Sequence, residues 1–256
     1  MMNRMLLILL LTGLTYSWAS AQGGTHKIKT SAKKVVFSVD DTDLIIEGHN
    51  SAEVIITTDD YEEPPERAKG LRPLYTTGQD NTGIGLEVKE TGGVLQVSNA
   101  SNESMEYVIK VPKGMNIQVE ELSWQSGDVT IKNIDGEIEL KCKGADIELE
   151  NVSGPIVANT TSGDITVVFS KVNQNQPTSI SNVSGFIDVT LPAATKANFM
   201  LKSVTGEVYT DLNLDLGEKK GLRRTGGGQA LKGAFNGGGV EISLNTISDD
   251  IYLRKQ

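Results

Sequence analysis

From Gly127 the chain reads GDVTIKNID, GEIELKCKG, ADIELENVS, GPIVANTTS, GDITVVFSK, five nine-residue units opening at Gly127, Gly136, Ala145, Gly154 and Gly163. No other feature restricts the fold so severely. The third positions are Val129, Ile138, Ile147, Ile156 and Ile165; the fifth are Ile131, Leu140, Leu149, Ala158 and Val167. Alternate residues of a strand share a face, so these two columns must be buried together. Each unit is a short strand plus a turn, and glycine at the opening is expected to supply a backbone conformation that other residues resist. Asp128, Asp146 and Asp164 recur at an 18-residue step, as do Asn133 and Asn151, so two kinds of unit alternate. The prediction is an all-β parallel β-helix, or β-solenoid, with about 18 residues and two short strands per coil. An antiparallel meander explains the alternation but not identical residues at an 18-residue step.

Outside the repeat, short alternating runs such as Val35–Val39, Leu44–Ile46, Val54–Ile56 and Tyr107–Val111 continue the all-β pattern, and helical periodicity is nearly absent. Regular repeats are expected over about 115–210, with insertions at about 61–83, 171–178 and 215–238. The tetrapeptides Asn182–Gly185 and Ser203–Gly206 read as restatements of the Asn151–Gly154 corner. Thr246–Ile251 is a near copy of Thr161–Ile165. Residues 1–21 read as a cleaved signal peptide: Arg4, an apolar run from Met5 to Leu11, then Ala19-Ser20-Ala21. That run is too short to span a bilayer. Residues 22–256 then form a single exported domain.

The formal charge is −9 and the basic residues are scattered, which argues against nucleic acid and anionic membranes as partners. Cys142 is the only cysteine, so no internal disulfide forms; it shares the parity of Ile138 and Leu140 and is read as a core residue. The column Asp128/Asp146/Asp164 invites a calcium reading, but each Asp lacks a second acidic residue at constant offset and the oxygen count falls short. Hydrogen bonds to turn amides are the simpler role. Asn133 and Asn151, taken at inward parity, read as a stacked amide ladder. No Ser-His-Asp order, metal-ligand cluster or phosphate loop is present, so no catalytic residue, metal or cofactor is assigned. The stretch 61–83 is the most individual segment, and Tyr61, Arg67, Arg72 and Tyr75 are its candidate binding residues. A covering role, closing a sheet end against aggregation, competes with that reading.

The corners Ser126–Val129 and Ser162–Ile165, the Val111-Pro112-Lys113-Gly114 lead-in and the closing Ser248–Ile251 resemble the bacterial "putative adhesin" domain family. Leu44–Asn50 and Gly70–Leu74 resemble its Bacteroidetes-type members. The resemblance covers nearly the whole chain after residue 21. It implies an exported β-solenoid-like protein and supplies no catalytic or binding residues. The expectation is a non-enzymatic adhesin-like or scaffold protein of the cell envelope, periplasmic or at the cell surface, with an envelope glycan or surface protein as partner. The alternatives are a polysaccharide lyase or glycoside hydrolase on the same scaffold, and a calcium-stabilised binding module.

Overall fold

The computed structural model describes residues 23–62, 65–71, 75, 78–101, 103–217 and 230–256. The signal-peptide reading and Arg72 lie outside the described residues.

The strands are β1 (Gly24–Lys29), β2 (Lys34–Ser38), β3 (Thr42–His49), β4 (Glu53–Thr58), β5 (Leu86–Thr91), β6 (Val94–Asn99) and β7 (Met105–Pro112). The repeat supplies β8 (Asn116–Glu121), β9 (Val129–Lys132), β10 (Ile138–Cys142), β11 (Ile147–Val152), β12 (Ile156–Asn159) and β13 (Ile165–Phe169). Then come β14 (Thr178–Ser181), β15 (Ile187–Leu191), β16 (Ala197–Ser203), β17 (Val208–Thr210), β18 (Leu231–Phe235), β19 (Val240–Thr246) and β20 (Ile251–Lys255). They form two ten-stranded sheets. The front sheet runs β1-β4-β7-β3-β9-β11-β13-β15-β20-β17, and the back sheet β18-β16-β19-β14-β12-β10-β8-β2-β6-β5.

Pairing within the repeat is parallel, which excludes the meander. Val129, Ile147 and Ile165 stand in register along the front sheet, as do Ile138 and Ile156 along the back, each step being 18 residues. The next front step, Ile165 to Ile187, is 22 residues, and the extra length is taken up in the 171–178 stretch. All third- and fifth-position residues of the five units are at most 2 % exposed. Each fully buried Val, Ile or Leu contributes about 1.5–3 kcal/mol, so the two columns are the principal cohesive element of the stack.

Chain order and spatial order diverge at both ends. The coil β2–β3 lies between β6–β7 and β8–β9, although the latter two are consecutive in sequence. At the far end β19–β20 lies between β14–β15 and β16–β17. The earliest and latest coils of the described chain are therefore each second from an end of an eight-coil stack.

The corner glycines have a different cause from the expected one. Only Gly163 and Gly185 among them take positive φ (128° and 111°). At Gly154 an added Cβ would lie 1.8 Å from the Gly136 carbonyl oxygen, and at Gly136 it would lie 2.2 Å from that of Met115. These corners press backbone on backbone, leaving no room for a side chain.

Two further expectations are corrected. Asn133 and Asn151 are not inward: both take left-handed φ (60° and 55°) at the corner, which breaks strand parity and turns their side chains outward. The amide ladder itself is present, Asn151 Nδ2 donating to Asn133 Oδ1 at 2.5 Å. The Asp column bonds the neighbouring coil rather than its own turn. The amides of Asp128, Asp146, Asp164 and Phe186 donate to carboxylates of Asp43, Asp128, Asp146 and Asp164, at 2.7–3.1 Å.

Candidate functional site

The 61–83 stretch sits at the β1/β5 end. Asp80 holds its turn, accepting the amides of Thr82, Gly83 and Gly85 at 2.9, 2.8 and 3.1 Å. This delivers Ile84 into the core, where its carbonyl accepts the buried Tyr107 hydroxyl at 2.7 Å. Asn81 then imitates a strand: its amide donates to Val88 O at 2.8 Å and accepts from Val88 N at 2.9 Å, closing the outer edge of β5. Of the sequence candidates, Tyr61 and Tyr75 are half-buried and mutually near. Tyr75's phenol is pushed up, first by burial and then by Asp80, Glu103 and Tyr61. Arg67 is exposed on the single turn Glu66–Ala68. The described part of this segment closes the outer edge of β5 and seats Ile84 in the core.

A different surface emerges at the corner leading from the back sheet to the front. Inside this corner, buried polar groups tie the backbone. Thr160 Oγ1 donates to Ser162 O at 3.0 Å, Asn182 Nδ2 to Gly185 O at 2.7 Å, and Thr246 Oγ1 to Gly185 O at 3.3 Å. Glu121 Oε1 accepts the Gly127 amide at 2.8 Å while its Oε2 is unpartnered. Burial, opposed by the Gly127 and Thr42 amides, lifts the Glu121 carboxyl to about 7. Its register neighbour Cys142 is buried, and burial followed by the Glu121 charge pushes the thiol up to about 12.

Outside the same corner stand two groups of exposed apolar side chains, Leu122 and Trp124 on one coil and Val183, Ile247 and Val204 on three successive ones, with Lys143 and Thr161 on the two coils between. Trp124 is 66 % exposed and the aliphatic members 38–46 %. Successive corners are stitched in that order: Ser162 N donates to Lys143 O, Ser184 N to Thr161 O, Ser248 N to Val183 O and Thr205 N to Ile247 O, at 2.7–3.1 Å. At about 4.8 Å per coil the line from Trp124 to Val204 spans six coils, roughly 24 Å. The Lys143 ammonium lies 5.6 Å from the Trp124 ring centroid, a cation–π contact that orients the indole. Large apolar side chains aligned in solvent mark an interaction surface more strongly than the same residues scattered.

The ridge was hidden in the sequence by a repeated tetrapeptide. Asn151–Gly154 and Asn182–Gly185 have the same sequence, Asn-Val-Ser-Gly, but lie at opposite corners. Left-handed Asn151 turns Val152 fully inward, whereas Val183 is 43 % exposed. A weaker signal, the insertion Leu122-Ser-Trp-Gln-Ser126 lengthening one step to 21 residues, marked the tip of the ridge.

Two clefts of about 320 Å³ lie elsewhere. One, on the back sheet, is lined by Asp215, Lys232 and Glu241, all exposed. The other lies between Lys171, Val172, Pro192 and Lys196. Among the described residues no group of three or more His, Cys, Asp and Glu is placed to hold a metal ion. No described helix is long and apolar enough to cross a membrane.

Residues 85–254, from the core-inserted turn to the closing coil, match the family described as Toastrack DUF4097. The chain belongs to the Toastrack DUF4097 family. Comparison with curated proteins finds no match. Among solved structures, this Toastrack chain is similar to a "putative cell adhesion protein" from Clostridium sporogenes, with 11 % identity, 92 % and 99 % of the two chains covered, and a TM-score of 0.46. It is also similar to a "putative adhesin" from Bacteroides fragilis, with 12 % identity, 93 % and 98 % covered, and a TM-score of 0.32. A third, a "putative lipid binding protein" from Parabacteroides distasonis, has 14 % identity, 91 % and 96 % coverage and a TM-score of 0.37.

Proposed function

We propose that this Toastrack protein is an exported, non-enzymatic, adhesin-like scaffold of the bacterial envelope that docks a surface protein along the Trp124–Val204 ridge. The ridge is the observation that supports the reading. Val183, Ile247 and Val204 offer aliphatic contact, and Trp124 adds the aromatic anchor typical of protein interfaces. A rigid stack holds these side chains in line without ordering cost at the moment of binding. The test is a binding screen of envelope proteins and glycans with the wild type, Trp124→Ala and Val183→Ser/Ile247→Ser. Protein binding weakened at least tenfold by both ridge variants, and unchanged in Arg67→Ala, supports the proposal. Glycan binding indifferent to the ridge overturns it.

The cleft lined by Asp215, Lys232 and Glu241 favours one second reading, a carbohydrate-active enzyme. It has two carboxylates and a cation, yet all three are solvated, without the apolar enclosure that keeps a general acid protonated at neutral pH. Glycan turnover abolished by Asp215→Asn or Glu241→Gln would establish that reading instead.

A further inference from the structure

The two sheets end differently. Both outer edges of the back sheet are closed by the chain itself. Asn81 pairs with Val88 in β5, and Asp215 exchanges two backbone hydrogen bonds with Ala234 in β18, at 2.8 and 2.9 Å. The front sheet has no such closure. Its terminal strands β1 and β17 each pair on one side only, with β4 and β20, and among the described residues no backbone hydrogen bond reaches their outer edges. Unpaired strand edges are templates for another strand.

These two edges carry opposite charge. On the outer face of β1 stand Thr25, Lys27 and Lys29, all exposed; Lys29 faces Glu53 of β4 in register, but Lys27 faces Ile55. Around β17 the outward residues are Glu207, Tyr209 and Asp211. There the columns of the front face simply stop. Tyr209 is stacked on Tyr252 at 5.5 Å, and Phe186 meets the same Tyr252 edge-on at 6.0 Å, so the aromatic column ends with the outer face of Tyr209. The Asp ladder is interrupted at Phe186, which brings no carboxylate, and resumes for one last step in which the Glu207 amide donates to Asp250 Oδ1 at 2.8 Å, so that the Glu207 carboxylate is the outermost of the stack. One column over, Asp188 binds Arg254 through both carboxylate oxygens at 3.0 and 3.1 Å, and Asp211 follows, accepting the Lys255 amide at 3.0 Å and adding its negative charge beside Arg254. Facing the core, Ile28 of β1 and Val208 of β17 are only partly buried, unlike their fully buried counterparts in inner coils.

We propose that β1 of one copy docks on β17 of the next, extending the front sheet from molecule to molecule. The pairing sets Lys27 and Lys29 among Glu207 and Asp211, continues the ladders and covers Ile28 and Val208. Lysines on an edge strand ordinarily deter pairing, and here they deter every strand except an acidic one. Because β1 and β17 are different surfaces at opposite ends, the contact is head-to-tail and propagates rather than closing in a dimer. The strands are short and the charges exposed, so association is weak and salt-sensitive.

Sedimentation velocity of the purified chain over a concentration series tests this without any external partner, so its outcome is separable from that of the ridge. The average mass is expected to rise with concentration beyond the dimer and the association constant to fall at least tenfold between low and high salt. Lys27→Glu/Lys29→Glu and Glu207→Lys/Asp211→Lys are each expected to remain monomeric, with far-ultraviolet circular dichroism confirming the fold. Mixed one to one, they restore assembly, because each now offers the edge the other lacks. A wild type that is monomeric throughout, reversal variants that associate like wild type, or a mixture that stays monomeric overturns the proposal.

Discussion

Replacing Glu121 by Gln should change how the stability of the protein responds to pH. The carboxyl is fully buried, one oxygen held by the Gly127 amide and the other unpartnered, with Asp40 and Asp43 adding negative potential and Cys142 stacked beside it. Its pKa rises from the ordinary 4.5 to about 7 on folding. The folded state therefore prefers the protonated acid. The advantage is complete below the unfolded value and is lost as pH climbs through the folded one. The displacement is worth about 3 kcal/mol, most of which disappears between pH 5 and pH 8. Gln keeps the acceptor for Gly127 and does not titrate. It places an NH₂ where Oε2 had no partner, at a cost of about 1–3 kcal/mol that is the same at both pH values. Urea unfolding of both proteins at pH 5 and pH 8 isolates the charge, since other titrations cancel in the difference of differences. Wild type should lose about 2–3 kcal/mol more than Glu121→Gln over that interval. Parallel pH dependences, within about 0.5 kcal/mol, would refute the reasoning and mean that Glu121 is hydrated in the folded protein.

Three other outcomes can be checked in the same way. Gly154→Ala must accommodate a Cβ placed 1.8 Å from the Gly136 carbonyl oxygen and should cost about 3 kcal/mol or more, whereas Gly114→Ala, with open space around it, should be nearly neutral in thermal melts. Asp146→Ala removes the acceptor for the Asp164 amide and should cost about 1 kcal/mol; Asp146→Asn keeps it and should lie close to wild type, with melting temperatures unmoved by calcium or chelator. Cys142 should react with a thiol reagent only at the rate of unfolding, because the thiol is buried and its pKa stands at about 12.

The coil, its 18-residue step and its inward columns were legible because strand parity and identical residues at fixed spacing report directly on burial. What the sequence concealed was conformational and topological. Asn-Val-Ser-Gly occurs at residues 151–154 and 182–185, yet only the first Asn adopts left-handed φ, so one valine enters the core and the other joins the ridge. The glycine column looked like a demand for unusual dihedrals and proved, at Gly136 and Gly154, to be a demand for space that only a neighbouring coil creates. Tyr209, Tyr252 and Phe186 meet only because β20 is slotted between β15 and β17, and pattern reading along the chain has no access to that interleaving. The 61–83 candidates drew notice through composition alone; two of them sit in a segment that plugs a sheet end.

The interleaved coils also bear on how such a chain reaches its native state. In a simply wound solenoid, folding can follow synthesis, each coil settling on the one before it. Here β16–β17 cannot come to rest on β14–β15, because the place between them is filled by residues 240–255. The far end of the stack must wait with an apolar slot open until those residues arrive, and its last contacts join segments 64 residues apart. Long-range closure of that kind is slow and leaves core surface transiently accessible. A chain cut short before β19 would lack an interior layer rather than an outer one, so proteolytic sensitivity should report on whether the closing coil has been delivered.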